Sequence, residues 1–388
     1  MNPQSRRRIC IIVAIALAIK LSLFVFAAIH APQGKLLPDS NRYIELAKTL
    51  ATKGVFASQS ENGGLVYETL RTPGYPIFLA ALYGLAKIPL DGIVLLQILM
   101  TLAVAFVVYK TAVEIDPNIV VLSMAIILLD PPTMIFSMTI LTEPLFLLGI
   151  SIFMFNFVLY LKCKKIGYLV ISAFMLVMAT YIRPVSYYLG FMIMFFIIYA
   201  NRKEGLKKLF AHALIFVLIV YSLLGIWQIR NHIRCHSFVF SSMQGENSGK
   251  GLIRSYARHN DPHTKGMTPL PYYVNVSFRS LLSVLTKPGH FKYFQSEQLR
   301  IGGYIFSYPF MAFWLTGFIC GVAAMRRNAY LHFMLFVTLY FITASVVGQM
   351  WAMGDRLRVS AMPFIAIISA YGWCSIIEQV RKNRSGNG

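Results

Sequence analysis

Runs of about twenty apolar residues recur along this chain, each long enough to cross the roughly 30 Å hydrocarbon core of a bilayer as one helix. No other feature narrows the fold as far. A chain in lipid must satisfy its backbone polar groups internally, which leaves helices or a closed barrel. Barrel strands alternate apolar and polar residues with period two, and these runs do not. Composition agrees: 57% of residues are hydrophobic and 13% charged, against about 25% charged in soluble domains. The sequence therefore reads as all-α, a polytopic transmembrane helix bundle forming a single membrane-embedded domain over 1–388.

Spans are expected near 9–30, 91–113, 118–136, 143–161, 166–182, 185–200, 209–227, 303–325, 329–350 and 359–378, ten in all. The basic clusters Arg6 to Arg8, Lys162 to Lys165, Arg202 to Lys208, Arg326-Arg327 and Arg381 to Arg384 then all fall on one side. By the positive-inside rule that side is cytoplasmic and holds both termini. The stretch 74–88 is apolar but only roughly 22 Å long as a helix. Counting it as a span would put Lys162 to Lys165 outside, so it reads as an interfacial or re-entrant helix. Two long external segments follow, 31–90 and 228–302, the second rich in lysine and arginine and suited to an anionic partner. The first apolar run is longer than a signal-peptide core and reads as a retained span. No contiguous basic soluble domain exists, so the net charge of +21 does not point to nucleic acid. Cys10, Cys163, Cys235, Cys320 and Cys374 show no CxxC or zinc spacing, and no disulfide framework is expected.

On this map, polar residues from distant segments share the external face: Asp39, Asp130, Glu143, Arg183, Arg230-Asn231, Asp355-Arg356 and Arg358. Charges near lipid are costly, and together these should line a cavity. Each also has a plainer reading. Asp39 would cap a helix over 40–51 that Gly54 ends. Glu143, before Pro144, would open a helix and favour its dipole. Asp130 would end one before a proline pair. Arg183 would be an interfacial anchor, and Asp355 with Arg356 a surface ion pair.

Two motifs are set aside. The stretch from Gly245 to Gly251 resembles a phosphate loop but is one residue short and lacks Ser or Thr after Lys250. Asn275-Val276-Ser277 matches a glycosylation acceptor, a pattern common by chance. A divalent metal is open as a cofactor, with Glu68 and His232 as weak candidate ligands. His236, His259 and His263 share the second segment without diagnostic spacing.

Pro38-Asp39-Ser40 with Tyr43, Arg71-Thr72-Pro73-Gly74-Tyr75-Pro76, Leu141-Thr142-Glu143-Pro144, Arg183-Pro184, Arg230-Asn231 and Arg356-Leu357-Arg358 before Pro363 occur in this order. In these pieces the chain resembles the GT-C superfamily of integral-membrane glycosyltransferases, in particular the group of protein O-mannosyltransferases and lipid A aminoarabinose transferases. The resemblance implies an external active site and a polyprenyl-phosphate-linked sugar donor. It implies that Asp39 is the catalytic carboxylate of the first loop, that Glu143 matches the acidic residue of the second, and that 74–88 is a juxtamembrane helix. The chain ends soon after its tenth span, so acceptor recognition is expected in the two external segments.

Such a donor already carries a good leaving group. It needs a base for the acceptor hydroxyl and cations for the departing phosphate. The expected roles are Asp39 as base, Glu143 as acceptor-positioning group or second acid, and Arg71, Arg183, Arg356 and Arg358 with Tyr43 and Tyr75 for donor phosphate and substrate. Direct displacement would invert the anomeric carbon, and apolar spans would hold the polyprenyl tail. The acceptor would be a glycan, lipid or protein, and the membrane a prokaryotic cytoplasmic one. The main alternative is a transporter or flippase for a lipid-linked or anionic substrate, followed by a polysaccharide polymerase or ligase and a non-catalytic scaffold. Internal repeats and mid-membrane charges would favour transport.

Overall fold

The computed structural model describes residues 3–60, 63–202, 205–243, 268–287, 297–326, 328–347 and 354–385. Among them, seven helices are long and apolar enough to cross a membrane, or eight if one bent pair counts as a single span. The protein is an integral membrane helix bundle. The long helices are α1 (Pro3–His30), α4 (Leu90–Ile115), α7 (Glu143–Cys163), α10 (Leu206–Cys235), α12 (Glu297–Ala324), α13 (Ala329–Val347) and α15 (Met362–Ser385). The bent pair combines a short 3-10 turn and α5 (Val120–Leu129) with α6 (Pro131–Ser137), at 53°. The bend falls at Asp130, whose extended backbone is what a residue before proline adopts.

The expected ten spans thus reduce to seven or eight by length. Each expected segment is mostly helical among the described residues, but α8 (Ile166–Ile182) has 17 residues, and a 3-10 turn that begins at Pro184 separates it from α9 (Leu189–Ala200). Seventeen residues rise only about 25 Å. The second external segment is also shorter than expected. Residues 228–235 contain no glycine or proline, so α10 runs on until His236 turns left-handed at φ 51. Beyond it lies α11 (Pro269–Thr286). The phosphate-loop-like stretch, His259 and His263 lie outside the described residues.

The segment after α1 is more structured than a loop. Helix α2 (Pro38–Lys53) ends at Gly54, left-handed at φ 66. A small antiparallel hairpin follows, β1 (Ala57–Gln59) on β2 (Leu65–Tyr67), in register Ala57 to Tyr67. Three-residue strands carry too little alternation to be read from sequence. Helix α3 (Gly74–Leu79) continues as a π-helical turn to Leu85 and packs on α2, where Gly84 meets Ala51. At 12 residues it is too short to span a bilayer.

The core is a continuous apolar cluster, with Phe146, Phe153 and Phe157 of α7 stacking towards Phe333 and Phe341 of α13. Helices α12 and α15 cross closely. A Cβ on Gly372 would lie 2.0 Å from the Gly317 carbonyl oxygen, so only glycine permits the approach. All five cysteines are free.

Candidate active site

Four helix ends and one loop bring five charged side chains together. Asp39 comes from the first turn of α2, Arg71 from the stretch before α3, Glu143 from the first residue of α7, and Arg183 from the end of α8. Arg356 comes from α14 (Gly354–Val359), the short helix before α15. Arg71 Nη2 donates to Asp39 Oδ1 at 2.6 Å, and Arg356 Nη1 to Asp39 Oδ2 at 2.7 Å. Arg356 Nε reaches Glu143 Oε1, and Arg183 Nη1 lies 3.4 Å from the same oxygen. The order is Arg71, Asp39, Arg356, Glu143, Arg183, alternating in sign. Glu143 is fully buried, and the Asp39 side chain is 24% exposed. The cluster therefore opens at Asp39.

Asp39 is not the cap of its helix. The N-cap is Leu37, Pro38 begins the helix, and the Ser40 hydroxyl accepts the Leu37 amide at 2.9 Å. That frees the Asp39 carboxylate for the arginines. Burial raises its pKa, but Arg356, Arg71 and Arg183 outweigh this and hold the carboxyl below the ordinary carboxylate range. Glu143 does begin its helix, and its carboxylate also receives the Thr142 hydroxyl at 3.2 Å. Asp355 and Arg356 are not a surface pair: Asp355 is buried, and Arg356 bridges the two site carboxylates.

Other expected site residues lie at varying distance from this cluster. Tyr43 is in its wall, with the Arg71 guanidinium 5.4 Å from its ring centroid. Tyr75 stands behind Tyr43 and is fully buried, its hydroxyl donating to Gln97 at 2.7 Å, so it supports the wall rather than facing a substrate. Gln97 in turn donates to the carbonyls of Ser137 and Thr139, on the stretch leading to Glu143. Arg358 turns away. It donates to the Val284 carbonyl at 2.8 Å, lies over Trp314, and lines a small apolar pocket between α11, α12, α13 and α15. Asp130 is the N-cap of α6, accepting the Thr133 amide and hydroxyl, and is not part of the cluster. Arg230 folds back onto the hairpin, donating to the carbonyls of Glu68 and Phe56.

The metal expectation finds no donor set. Glu68 pairs with Arg42 at 2.7 Å and accepts the Leu70 and Arg71 amides. His232 lies against Phe238. Among the described residues no three His, Cys, Asp or Glu side chains converge, and Asp39 and Glu143 already face cations. These residues do not fit a divalent ion. Sequence reasoning passes over Arg42, Gln97, Ser360 (3.4 Å from Arg183) and Lys20, buried inside α1 and donating to Thr101 at 2.6 Å. A lone lysine within an apolar run was the available signal for the last.

Residues 71–227, less than half of the chain, match the family model described as dolichyl-phosphate-mannose-protein mannosyltransferase. No curated protein matches. Among solved structures, the oligosaccharyltransferase AglB from Archaeoglobus fulgidus, in complex with an inhibitory peptide and a dolichol-phosphate, aligns over 94% of this chain and 51% of its own. Its TM-score is 0.55 at 11% identity. The same archaeal enzyme with zinc and sulfate gives a TM-score of 0.56 at 12% identity, over 95% and 49%. The chain shares its fold with these archaeal structures. It spans about half the length of these archaeal proteins. ArnT from Cupriavidus metallidurans bound to undecaprenyl phosphate covers 91% of the chain and 77% of its own, at 12% identity and TM-score 0.44.

Proposed function

We propose that this protein is a GT-C glycosyltransferase that moves a sugar from a polyprenyl-phosphate-linked donor to an acceptor hydroxyl at the outer membrane face. The carrying observation is the buried cluster of three arginines against two carboxylates. It has one positive charge in excess, and a sugar linked through a phosphodiester brings one negative charge. Arg71 also keeps a buried Nε with no hydrogen-bond partner among the described residues, a donor available to a phosphate oxygen.

The depressed Asp39 carboxyl is a weak base while two arginines hold it. The donor phosphate is proposed to compete for Arg71 and Arg356. As they turn to the phosphate, Asp39 loses the charges that lower its pKa and becomes able to take the acceptor proton. The leaving phosphate departs against the same arginines, so stabilisation grows as charge develops there. Attack opposite the leaving group inverts the anomeric carbon. Glu143, fully buried behind Asp39, keeps Arg356 and Arg183 in place. The family match and the fold support the reaction class, and the AglB complex with dolichol-phosphate supports the lipid carrier. Both termini are placed in the cytoplasm, on the charge pattern of the sequence.

One observation favours the transport reading: a span bent at a buried Asp130, beside an α1 that buries Lys20. Broken helices with buried charges occur in transporters. Asp130 is used as a helix cap, however, and Lys20 binds Thr101.

Mass spectrometry of lipid-linked sugars and envelope glycans in a deletion strain tests the proposal. Loss of one sugar from a glycan, with accumulation of its polyprenyl-phosphate form, is expected. Unchanged glycans and carriers would defeat it.

A further inference from the structure

The first external segment carries opposite charges three residues apart twice over: Asp39 and Arg42 on α2, Glu68 and Arg71 after β2. In the fold the two pairs face each other. Asp39 meets Arg71 at 2.6 Å, and Arg42 meets Glu68 at 2.7 Å. On α2 the three-residue spacing puts both side chains on one face. The result is a ladder of two ion pairs tying the Arg71 stretch to α2.

The second pair is built for more than charge. The Glu68 side chain is 2% exposed although its partner Arg42 is 44% exposed. Glu68 Oε2 takes the Arg42 guanidinium, with Nε at 2.8 Å. Glu68 Oε1 takes the backbone amides of Leu70 at 2.6 Å and Arg71 at 3.3 Å. The Glu68 backbone is itself pinned. Its carbonyl accepts Arg230 Nη1 at 2.9 Å, and Arg230 Nη2 reaches the Phe56 carbonyl at 2.8 Å. Trp227 lies under that guanidinium at 4.6 Å. On the other side, the Ser241 hydroxyl donates to the Leu70 carbonyl at 2.8 Å.

We infer that Glu68 is a positioning residue for recognition of a polyprenyl phosphate. It fixes the backbone of Arg71 so that the guanidinium stays at the mouth of the site when it leaves Asp39 for the phosphate. This inference rests on the glycosyltransferase reading. The only salt bridge of Arg71 among the described residues is to Asp39. Once that carboxylate is released, the position of the guanidinium depends on its backbone. Glu68 sets that backbone by accepting two amide hydrogen bonds on a carboxylate that Arg42 holds, while Arg230 holds the Glu68 carbonyl. A pre-placed cation binds a phosphate more tightly than one that must first be ordered.

The test is binding of undecaprenyl phosphate to the full-length protein in nanodiscs, with thermal melting of each variant in the same discs. Glu68→Ala removes both amide contacts and the ion pair and is expected to weaken binding about tenfold in the folded fraction, the scale of losing charge-assisted hydrogen bonds. Glu68→Gln keeps an oxygen for the amides and is expected to recover most of the affinity. Arg42→Ala should resemble Glu68→Gln, and combining the two should add little. A purely structural role would lower melting and leave the affinity of the folded fraction alone. Wild-type affinity in folded Glu68→Ala, or, should Glu68→Ala fail to fold, in Glu68→Leu, which fills the same space without an acceptor for the amides, would overturn the inference. If Arg71→Ala weakens binding while the Glu68 variants do not, only the positioning role falls. If the wild type binds undecaprenyl phosphate no better than dioleoyl phosphatidic acid, the donor reading falls and takes this inference with it.

Discussion

Arg356→Ala is the perturbation the geometry speaks to most sharply, because one guanidinium bridges the two site carboxylates. It donates to Asp39 at 2.7 Å and also to Glu143, which is fully buried. Removing one partner of a buried pair costs about 3–5 kcal/mol, and the lower end suits a site that is open at Asp39. Unfolding entropy scales with chain length, so for 388 residues each kcal/mol shifts the melting temperature by about 1.2 °C, giving a fall of about 4–6 °C. Arg356→Lys restores the charge but cannot span both carboxylates and should recover only part of it. The acid response should change too. Because the folded pKa of Asp39 is depressed, its pairs contribute stability above the unfolded pKa of about 3.9, lost as pH falls through the folded value. Without Arg356 that depression shrinks, so acidification should lower melting less steeply than in the wild type. Thermal unfolding in detergent at pH 7 and across the acid range measures both. A variant melting within 1 °C of wild type, roughly the smallest shift this arithmetic resolves, with the same acid dependence would refute the reasoning.

Two further outcomes follow from close contacts and buried charge. A Cβ at Gly74 would lie 2.7 Å from the Tyr181 carbonyl, next to Arg183, so Gly74→Ala should push the Arg71 stretch off the end of α8. A cost of about 1–3 kcal/mol and weaker undecaprenyl phosphate binding are expected by melting and titration. Lys20 is electrostatically coupled to Asp130 across the bundle. Lys20→Met should destabilise by about 1–3 kcal/mol by leaving Asp130 less compensated, and Lys20→Met with Asp130→Asn should recover much of that in a double-mutant melt.

The bundle was legible because apolar runs of spanning length leave few alternatives. That Asp39, Glu143, Arg183 and Arg356 meet was legible in part, because charges near lipid need partners, but the same reasoning also grouped Asp130, Arg230 and Arg358, which the structure places elsewhere. Arg356 and Arg358 show where this stops. Two residues apart on one helix, they point roughly 200° apart, and only the packing of α14 decides which enters the site. Tyr75 was a candidate because it belongs to the segment Arg71 to Pro76 that carries the family resemblance, yet it lies in the first turn of a helix whose buried face takes it. The ladder of Asp39 with Arg71 and Arg42 with Glu68 was written in two equal spacings, but recognising it requires knowing that α2 and the stretch after the hairpin lie side by side. Asp39 as cap failed for a local reason: Pro38 starts the helix one residue earlier, and Ser40 serves the cap.

The most direct measurement reconstitutes the purified protein with the polyprenyl-phosphate sugar that accumulates in the deletion strain and with that strain's envelope fraction. Sugar transfer and its anomeric configuration are then followed for wild type and Asp39→Asn. The account predicts transfer with inversion by the wild type and none by a folded Asp39→Asn. Wild-type turnover by Asp39→Asn, or a product that keeps the donor's configuration, would contradict it.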